Sequence, residues 1–176
     1  MDKIIESFVK EPEKEFHVRE LSKILKKSPT TISKYLKKAE KEGVLISEEK
    51  LNHLFFKVNL NNTQFKQLKL NYNISLLNKS GLVNYLEKEF NHPEALILFG
   101  SFAKAENTKK SDVDILIITP NKKNIDLKYF EKKIGNPIQL HLYSNKDIEV
   151  MKMKNRNLLN NFINGILLSG YWELFK

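Results

Sequence analysis

Two aspartates beside a strand-like run are the residues of this chain best suited to chemistry. Asp114 is the one polar residue of an apolar, β-branched run over residues 113–118 that predicts a buried strand, and Asp112 is expected at the start of the same strand. Because residues i and i+2 point to the same face of a strand, we expect both carboxylates to project together. An ionised carboxylate is costly to bury unless a cation or a cleft compensates it. Hard oxygen ligands of this kind favour Mg²⁺ or Mn²⁺.

A Gly-Ser turn precedes the aspartates and follows another apolar run, residues 96–99, which predicts a second buried strand. Gly100 lets a ligand approach the backbone closely, and Ser101 offers a hydroxyl and an N–H at the predicted start of a helix, which favours phosphate. Phosphate at one strand end and metal at the next indicate a nucleotide. The alternative is a surface turn followed by a strand with two solvent-facing aspartates.

The spacing of these residues resembles a known signature. Gly100-Ser101, ten further residues and then Asp112-Val113-Asp114 resemble the pattern of the DNA polymerase β-like nucleotidyltransferase superfamily, especially its small minimal members. The resemblance implies a nucleotidyltransferase that uses Mg²⁺ (or Mn²⁺) and an NTP substrate, with Asp112 and Asp114 as catalytic metal ligands and Gly100 and Ser101 at the triphosphate.

The surroundings of the motif are less specific. Lys104, Lys109 and Lys110 could neutralise phosphates, Lys104 being the candidate nucleotide-binding residue, although a solvated loop would explain them as well. Ala105 stands where many relatives have a second glycine.

The carboxyl-terminal half departs from the family pattern at one place. The resemblance places a third carboxylate, which helps to bind a second metal and can act as general base, on the predicted strand 137–143. The candidate positions there hold Gln139 and His141. Asp112 and Asp114 alone could hold one Mg²⁺-nucleotide. His141 could serve as a base or a metal ligand, but a lone histidine on a strand is more often structural.

The amino-terminal region predicts three helices and a hairpin. The helices cover residues 2–10, a segment from about Val18 to Lys27, and a segment that opens at Ser28-Pro29 and stops at Gly43. Residues 44–60 then predict strand, turn and strand, with a polar tip at residues 48–52. This order resembles the winged helix-turn-helix domains of small prokaryotic transcription regulators, which implies DNA binding through residues 18–60.

The start of the third helix would then enter the major groove of DNA. The candidate DNA-binding residues are Thr30, Thr31, Ser33, Lys34, Lys37 and Lys38. Alternatively, these lysines merely solvate an exposed helix face, and the module mediates dimerisation or contacts RNA. Glu48 and Glu49, placed at the predicted hairpin tip, argue against insertion of the tip into a groove.

We therefore predict an α+β chain: a winged helix-turn-helix domain (1–62), linker and packing helices (63–91), and a nucleotidyltransferase-type α/β domain with a small mixed sheet (92–176). The apolar linker helix could also form a homodimer interface. In the tail, Ser144 and Asp147 form a capping-box pattern, residues 166–168 predict a last short strand, and Trp172 and Phe175 are expected to seal the core.

The amino-acid composition excludes several classes of protein and of functional site. The chain has 176 residues, 41% hydrophobic and 29% charged, which is not a disordered composition. Its net charge of +9 favours a polyanionic partner. The absence of cysteine excludes disulfides, thiolate zinc sites and a cysteine nucleophile. A charged amino terminus and the lack of a long apolar run predict a cytoplasmic protein without a membrane partner.

The sequence is compatible with two functions. The first is an enzyme that moves a nucleoside monophosphate from Mg-NTP to an acceptor hydroxyl, tethered to a DNA-binding module. The second is a DNA-binding transcription regulator whose nucleotidyltransferase domain is inactive or only senses nucleotide. The intact Gly-Ser and Asp-x-Asp pattern favours the first, and the missing third carboxylate favours the second.

Overall fold

A computed structural model describes residues 2–174. The chain divides into two compact units, Met1–Tyr72 and Asn73–Lys176. In chain order the elements are α1 (Lys3–Lys10), β1 (Phe16–His17), α2 (Val18–Leu25), α3 (Pro29–Lys41), β2 (Leu45–Lys50), β3 (His53–Val58), α4 (Thr63–Ser80), α5 (Leu82–Glu89), β4 (Ala95–Phe99), α6 (Gly100–Ala103), β5 (Val113–Ile118), α7 (Lys128–Ile134), β6 (Ile138–Tyr143), α8 (Asn145–Lys154), α9 (Arg156–Ile163) and β7 (Ile166–Gly170).

The first unit packs three helices against a three-stranded antiparallel sheet of order β1-β3-β2. Helix α3 begins as predicted, with Pro29 in its first turn and the Ser28 hydroxyl accepting a hydrogen bond of 3.2 Å from the Thr31 N–H. The core of this unit contains the fully buried Phe8, Leu21 and Leu36. The apolar faces of the three helices therefore pack into one core.

The hairpin differs from its prediction. Strand β2 continues to Lys50, and the turn is only Leu51-Asn52, both with positive φ of 51° and 58°, as a two-residue hairpin turn of the primed type requires. The predicted tip at residues 48–52 is therefore wrong for Glu48 and Glu49, which lie within β2. Glu48 is held there by Lys57 of β3 at 3.3 Å.

A second correction concerns Phe16. The apolar set that predicts the second helix, expected to start near Val18, includes Phe16, whereas the structure places Phe16 in the short strand β1, opposite Phe56. A two-residue strand is too short to show an alternating pattern in sequence. The partner strand β3, distant in sequence, determines its conformation.

The second unit is built on a four-stranded sheet of order β6-β5-β4-β7. Strands β5 and β6 are parallel, and the other two pairings are antiparallel, so the predicted mixed sheet is confirmed. Helices α5, α6 and α7 contribute to the core on one face of this sheet, where Leu82, Leu86 and Phe130 pack with Leu98 and Ile115. Helices α8 and α9 contribute to a separate core on the opposite face.

The predicted linker helix forms as α4, and its apolar side chains are buried within the chain. Phe65 and Leu77 are buried, and Leu68, Tyr72 and Leu76 pack against the cores. Within the described part of the chain, neither α4 nor α5 exposes a large apolar side chain. The side chains that suggested a dimer interface in this region are therefore already covered.

The tail forms two helices and the final strand β7, as its stop signals predict. Trp172 packs against the core under α8 and α9, whereas Phe175 lies outside the described residues. Across residues 2–174, no helix combines the length and apolarity needed to cross a membrane.

Helix α8 begins with a capping box whose carboxylate also pairs with a lysine side chain. The Asp147 carboxylate accepts hydrogen bonds of 2.8 Å from Lys122 Nζ and from the Ser144 N–H. These hydrogen bonds hold the pKa of Asp147 far below its usual range. The bond from Lys122 has the largest effect, and the bonds from Ser144 have the next largest. Stabilisation by Asp147 is therefore present above the pKa of an unfolded aspartate, about 3.9, and is lost as the pH falls below it.

We expect Asp147→Asn to lower the melting temperature at pH 7, with a deficit that shrinks steadily below about pH 4 because the unfolded wild-type carboxyl takes up a proton there. Thermal unfolding followed by circular dichroism between pH 7 and pH 2.5 measures this. Lys122→Met, which removes the main partner, should flatten the same acid dependence. A deficit that stays constant across this range would contradict the assignment.

Candidate functional site

The antiparallel pairing of β4 and β5 brings the Gly-Ser turn beside the aspartates. Phe99, the last residue of β4, lies opposite Asp114, the second residue of β5. Gly100 starts the single-turn helix α6 directly after Phe99, in agreement with the predicted helix start. Asp112 comes one residue before β5 begins at Val113, and not inside the strand as predicted. The turn and the carboxylates thus share one end of two neighbouring strands.

Gly100 is in contact with the Asp114 carboxylate. Its φ is +68°, and a Cβ added there would overlap Asp114 Oδ2 and lie 3.2 Å from Asp114 Cγ. A side chain at position 100 would therefore have to displace the carboxylate. The glycine has a structural reason that does not depend on a ligand: only a residue without Cβ lets the two segments approach this closely.

Strand β6 supplies the other side of the site. Gln139 is the register partner of Asp114 in the parallel ladder and is exposed. His141, two residues further along the same face, places Nε2 3.4 Å from Asp114 Oδ1. This is a long hydrogen bond, which implies a weak interaction. Both side chains are partly accessible, at 22% for His141 and 23% for Asp114.

Aromatic rings support His141 from behind. Its ring meets Phe99 edge to face, with centroids 4.9 Å apart, and Phe162 of α9 packs on Phe99 in the same manner at 4.8 Å. The surroundings combine a polar contact on one side of the imidazole with apolar packing on the other. His141 therefore packs against aromatic rings of the core, as expected for a structural histidine, and it also lies beside the candidate site.

The remaining predicted site residues differ in exposure. Asp112 and Lys104 are exposed, and Ser101 is half-buried. The structure thus brings Gly100, Asp114 and the two β6 positions, Gln139 and His141, into one neighbourhood. Asp112 borders it, and Lys104 caps the end of α6.

Two asparagines that sequence reasoning missed hold the loop between α6 and β5. The Asn136 side-chain amide donates to the carbonyls of Ser111 at 2.8 Å and Thr108 at 3.2 Å. The buried Asn73 amide donates to the Phe102 carbonyl at 2.9 Å and to Asn107 Oδ1 at 2.8 Å. The signal for Asn73 was a polar residue inside an apolar helical stripe, where a buried amide needs partners.

Ala105 adopts the conformation that a glycine would take more easily. Its φ is +57°, and it is buried, so it is held in the left-handed region. That region costs a residue with a Cβ about 1–2 kcal/mol. The observation gives a physical reason for the glycine that the family resemblance leads one to expect at this position.

The acidic donor set suits one divalent ion. Asp112 and Asp114 offer hard carboxylate oxygens of the kind that Mg²⁺ prefers. Among residues 2–174, however, no cluster of three or more His, Asp or Glu side chains is arranged to hold a metal ion. Asp112 and Asp114 are therefore the carboxylates that could hold a single cation, and among the described residues no third carboxylate joins them to complete a two-metal centre.

We expect Gly100→Ala to destabilise the chain by about 2–3 kcal/mol, because left-handed strain adds to overpacking against Asp114. The matched control is Gly135→Ala, where φ is +89° and no atom lies within 4 Å of the added Cβ. Strain alone should cost the control about 1 kcal/mol. Urea unfolding measures both, and equal losses would show that Asp114 does not constrain Gly100.

Comparison with known proteins agrees with this geometry. Residues 79–164 match the family model described as "Nucleotidyltransferase domain", a range that contains both the Gly-Ser turn and the two aspartates. Searches of curated proteins and of solved structures found no match to the chain. The second unit is thus similar, over residues 79–164, to the nucleotidyltransferase domain family, which supports a place for it in that superfamily.

Proposed function

We propose that the chain is a nucleotidyltransferase that binds Mg-NTP and transfers a nucleoside monophosphate to an acceptor hydroxyl, and that its first unit is a winged helix-turn-helix that binds DNA. The observation that carries the enzymatic part is the contact between the Gly100 backbone and the Asp114 carboxylate. This contact brings the Gly-Ser turn and the Asp-x-Asp segment, the two parts of the family motif, together in space. The family match over residues 79–164 supports the same interpretation.

In this proposal, each residue has a limited task. Gly100 and Ser101 hold the triphosphate at the start of α6, and Lys104 adds positive charge near it. Asp112 and Asp114 hold one divalent cation, which supplies charge neutralisation and polarisation of the phosphate when bound. His141 stands beside Asp114 Oδ1 and limits the orientations of that carboxylate.

The transfer itself follows from this arrangement. The acceptor oxygen forms a bond to the α-phosphorus, the bond from that phosphorus to the bridging oxygen breaks, and pyrophosphate leaves. Positioning and charge stabilisation carry most of the catalysis in such reactions. Gln139, at the position opposite Asp114, has no group that takes up the hydroxyl proton, so in this proposal the proton passes to the His141 imidazole beside Asp114 or to solvent water.

We expect wild-type protein, incubated with each α-labelled NTP and Mg²⁺ or Mn²⁺, to transfer label to itself, to nucleic acid or to a co-purified protein. Asp112→Asn/Asp114→Asn should reduce transfer by at least about a hundredfold, because both anions that position the cation and stabilise the transferred group are removed. Asp126→Asn, an exposed aspartate of the same unit, is the matched control and should transfer normally.

A complete lack of labelled product with the wild-type protein, across all four nucleotides and both metals, would overturn the enzymatic proposal. Nucleotide-dependent thermal stabilisation, measured in parallel, separates binding from turnover. Stabilisation that is lost in Asp112→Asn/Asp114→Asn, without any transfer, would favour the second candidate function: a DNA-binding regulator whose nucleotidyltransferase domain senses nucleotide. The uncharged Gln139 opposite Asp114 is the observation that favours this candidate.

Several features of the first unit support DNA binding. The order of its elements, three helices with a hairpin after α3, is that of a winged helix-turn-helix. Thr30, Lys34, Lys37 and Lys38 are exposed on α3. The corrected turn also removes one objection, because Leu51 and Asn52, and not two glutamates, form the hairpin tip.

Two of the proposed DNA-binding side chains, Thr31 and Ser33, are less available for contacts outside the unit. The Thr31 hydroxyl hydrogen-bonds the Ser28 hydroxyl at 2.8 Å, and Ser33 is half-buried. Lys38 lies 3.8 Å from Glu42, an exposed pair of little strength. Lys34 and Lys37 are therefore the side chains we expect to contribute most to phosphate binding.

We expect Lys34→Ala/Lys37→Ala to weaken binding to duplex DNA from upstream of the chain's own coding sequence by about 10- to 100-fold at 0.1 M salt. The slope of log K against log salt should fall by about 2, since each lost phosphate contact removes about 0.9. Lys128→Ala/Lys132→Ala, two exposed lysines of α7, controls for net charge. Fluorescence anisotropy at several salt concentrations measures both, and equal losses would contradict recognition by α3.

A further inference from the structure

We propose that Asn136 is a positioning residue for Asp112: its side-chain amide holds the backbone just before Asp112, so that this carboxylate meets the same cation as Asp114. The role rests on the proposed function, because it matters for chemistry only if the two aspartates bind a divalent ion. It adds to that function a residue outside the Gly-Ser and Asp-x-Asp pattern on which the cation site depends.

Asp112 needs such support more than Asp114 does. Asp114 belongs to β5, where it pairs with Phe99 on one side and with Gln139 on the other. Asp112 is exposed and precedes the strand, and the ladder between β5 and β6 begins only at Val113. A carboxylate on an exposed loop samples many orientations, and ordering it at a cation costs conformational entropy.

The Asn136 amide fixes the chain just before Asp112. It donates to the carbonyl oxygens of Ser111 at 2.8 Å, Thr108 at 3.2 Å and Lys109 at 3.4 Å. The Thr108 N–H also donates to the Ser111 hydroxyl at 2.9 Å, and the Ser111 N–H donates to the Thr108 carbonyl at 3.2 Å. This turn is therefore closed by its own hydrogen bonds, and the amide ties it to the segment before β6.

The next residue of that segment fixes the chain just after Asp112. The Val113 N–H donates to the Pro137 carbonyl at 2.8 Å. Asp112 is thus held on both sides by hydrogen bonds to two consecutive residues, Asn136 and Pro137. With both neighbouring peptide groups held, the freedom left to the carboxylate is mainly that of its own side-chain rotamers.

The segment that holds Asp112 is itself anchored. The carboxylate of Glu131 in α7 accepts a hydrogen bond of 3.0 Å from the Ile138 N–H at the start of β6. Further along this strand, His141 Nε2 lies 3.4 Å from Asp114 Oδ1. The position of β6 therefore influences both aspartates, Asp112 through the backbone and Asp114 through a side chain.

We expect Asn136→Ala to weaken binding of Mn²⁺ alone by about tenfold, since loss of a residue that orients a metal ligand typically costs about 10- to 100-fold in affinity. Electron paramagnetic resonance of the free ion measures this, and the binding lost in Asp112→Asn/Asp114→Asn defines the site. The matched control is Asn164→Ala, which removes a side-chain hydrogen bond of 2.8 Å to the Asn160 carbonyl. It should bind Mn²⁺ as the wild type does.

A double-mutant cycle tests whether Asn136 acts through Asp112. In the Asp112→Asn background, Asn136→Ala should change the Mn²⁺ affinity less than about twofold, because the carboxylate that it positions is already gone. In the Asp114→Asn background, the loss of about tenfold should remain. Equal losses in both backgrounds would show a general loosening of the unit and would overturn the proposal.

Hydrogen exchange of the metal-free protein gives a readout that does not depend on binding. Asn136→Ala should speed exchange of the amides of residues 108–111 by at least about tenfold, whereas Asn164→Ala should leave it unchanged. Ser111→Ala, which removes the bond from the Thr108 N–H, should act in the same direction on exchange and on Mn²⁺ affinity. It serves as the test variant if Asn136→Ala does not fold.

These measurements separate the positioning role from the proposed function. Wild-type protein that binds no more Mn²⁺ than Asp112→Asn/Asp114→Asn would refute the cation site itself, and the positioning role with it. Mn²⁺ binding at this site that stays unchanged in Asn136→Ala would overturn the positioning role alone. Faster exchange with unchanged Mn²⁺ affinity would also overturn it, because Asn136 would then hold the loop without orienting Asp112.

Discussion

The contact between the Gly100 backbone and the Asp114 carboxylate is the constraint on which the candidate site depends. Strand β4 is buried along its whole length, and its antiparallel register with β5 leaves Phe99 opposite Asp114. A side chain at position 100 would push the carboxylate away from the turn. The glycine therefore serves two purposes: it permits the left-handed turn into α6, and it lets the carboxylate sit where the proposed nucleotide and cation would meet it.

The rest of the second unit holds these two strand ends in place. Helices pack on both faces of the sheet, so the central strands β4 and β5 are almost completely buried and cannot shift register without exposing their apolar faces. The loop that joins them is fixed by side-chain amides, because Asn136 and Asn73 satisfy its carbonyl groups. The partly exposed Asp114 is thus a polar group at the end of an otherwise apolar and rigid framework.

The first unit shows how a small change in local geometry alters a functional hypothesis. The two-residue turn moves Glu48 and Glu49 into the body of the hairpin, where Glu48 forms a cross-strand ion pair with Lys57. The tip is then formed by Leu51 and Asn52, without a carboxylate. On α3, the cap that starts the helix uses the Thr31 hydroxyl, which leaves the lysines as the freer part of the proposed DNA-binding face.

Sequence alone determined the elements with strong periodicity or clear stop signals: the three amino-terminal helices, the strands around the aspartates, and the Gly-Ser and Asp-x-Asp pattern. These depend on neighbours within a few residues, which a pattern of side-chain types records directly. Only the tertiary structure decided that Phe16 belongs to a sheet, that Gln139 and His141 are the neighbours of Asp114, and that β7 is left at an edge. Each of these follows from pairing between segments far apart in sequence, where register and burial select the partner and local propensity carries no information.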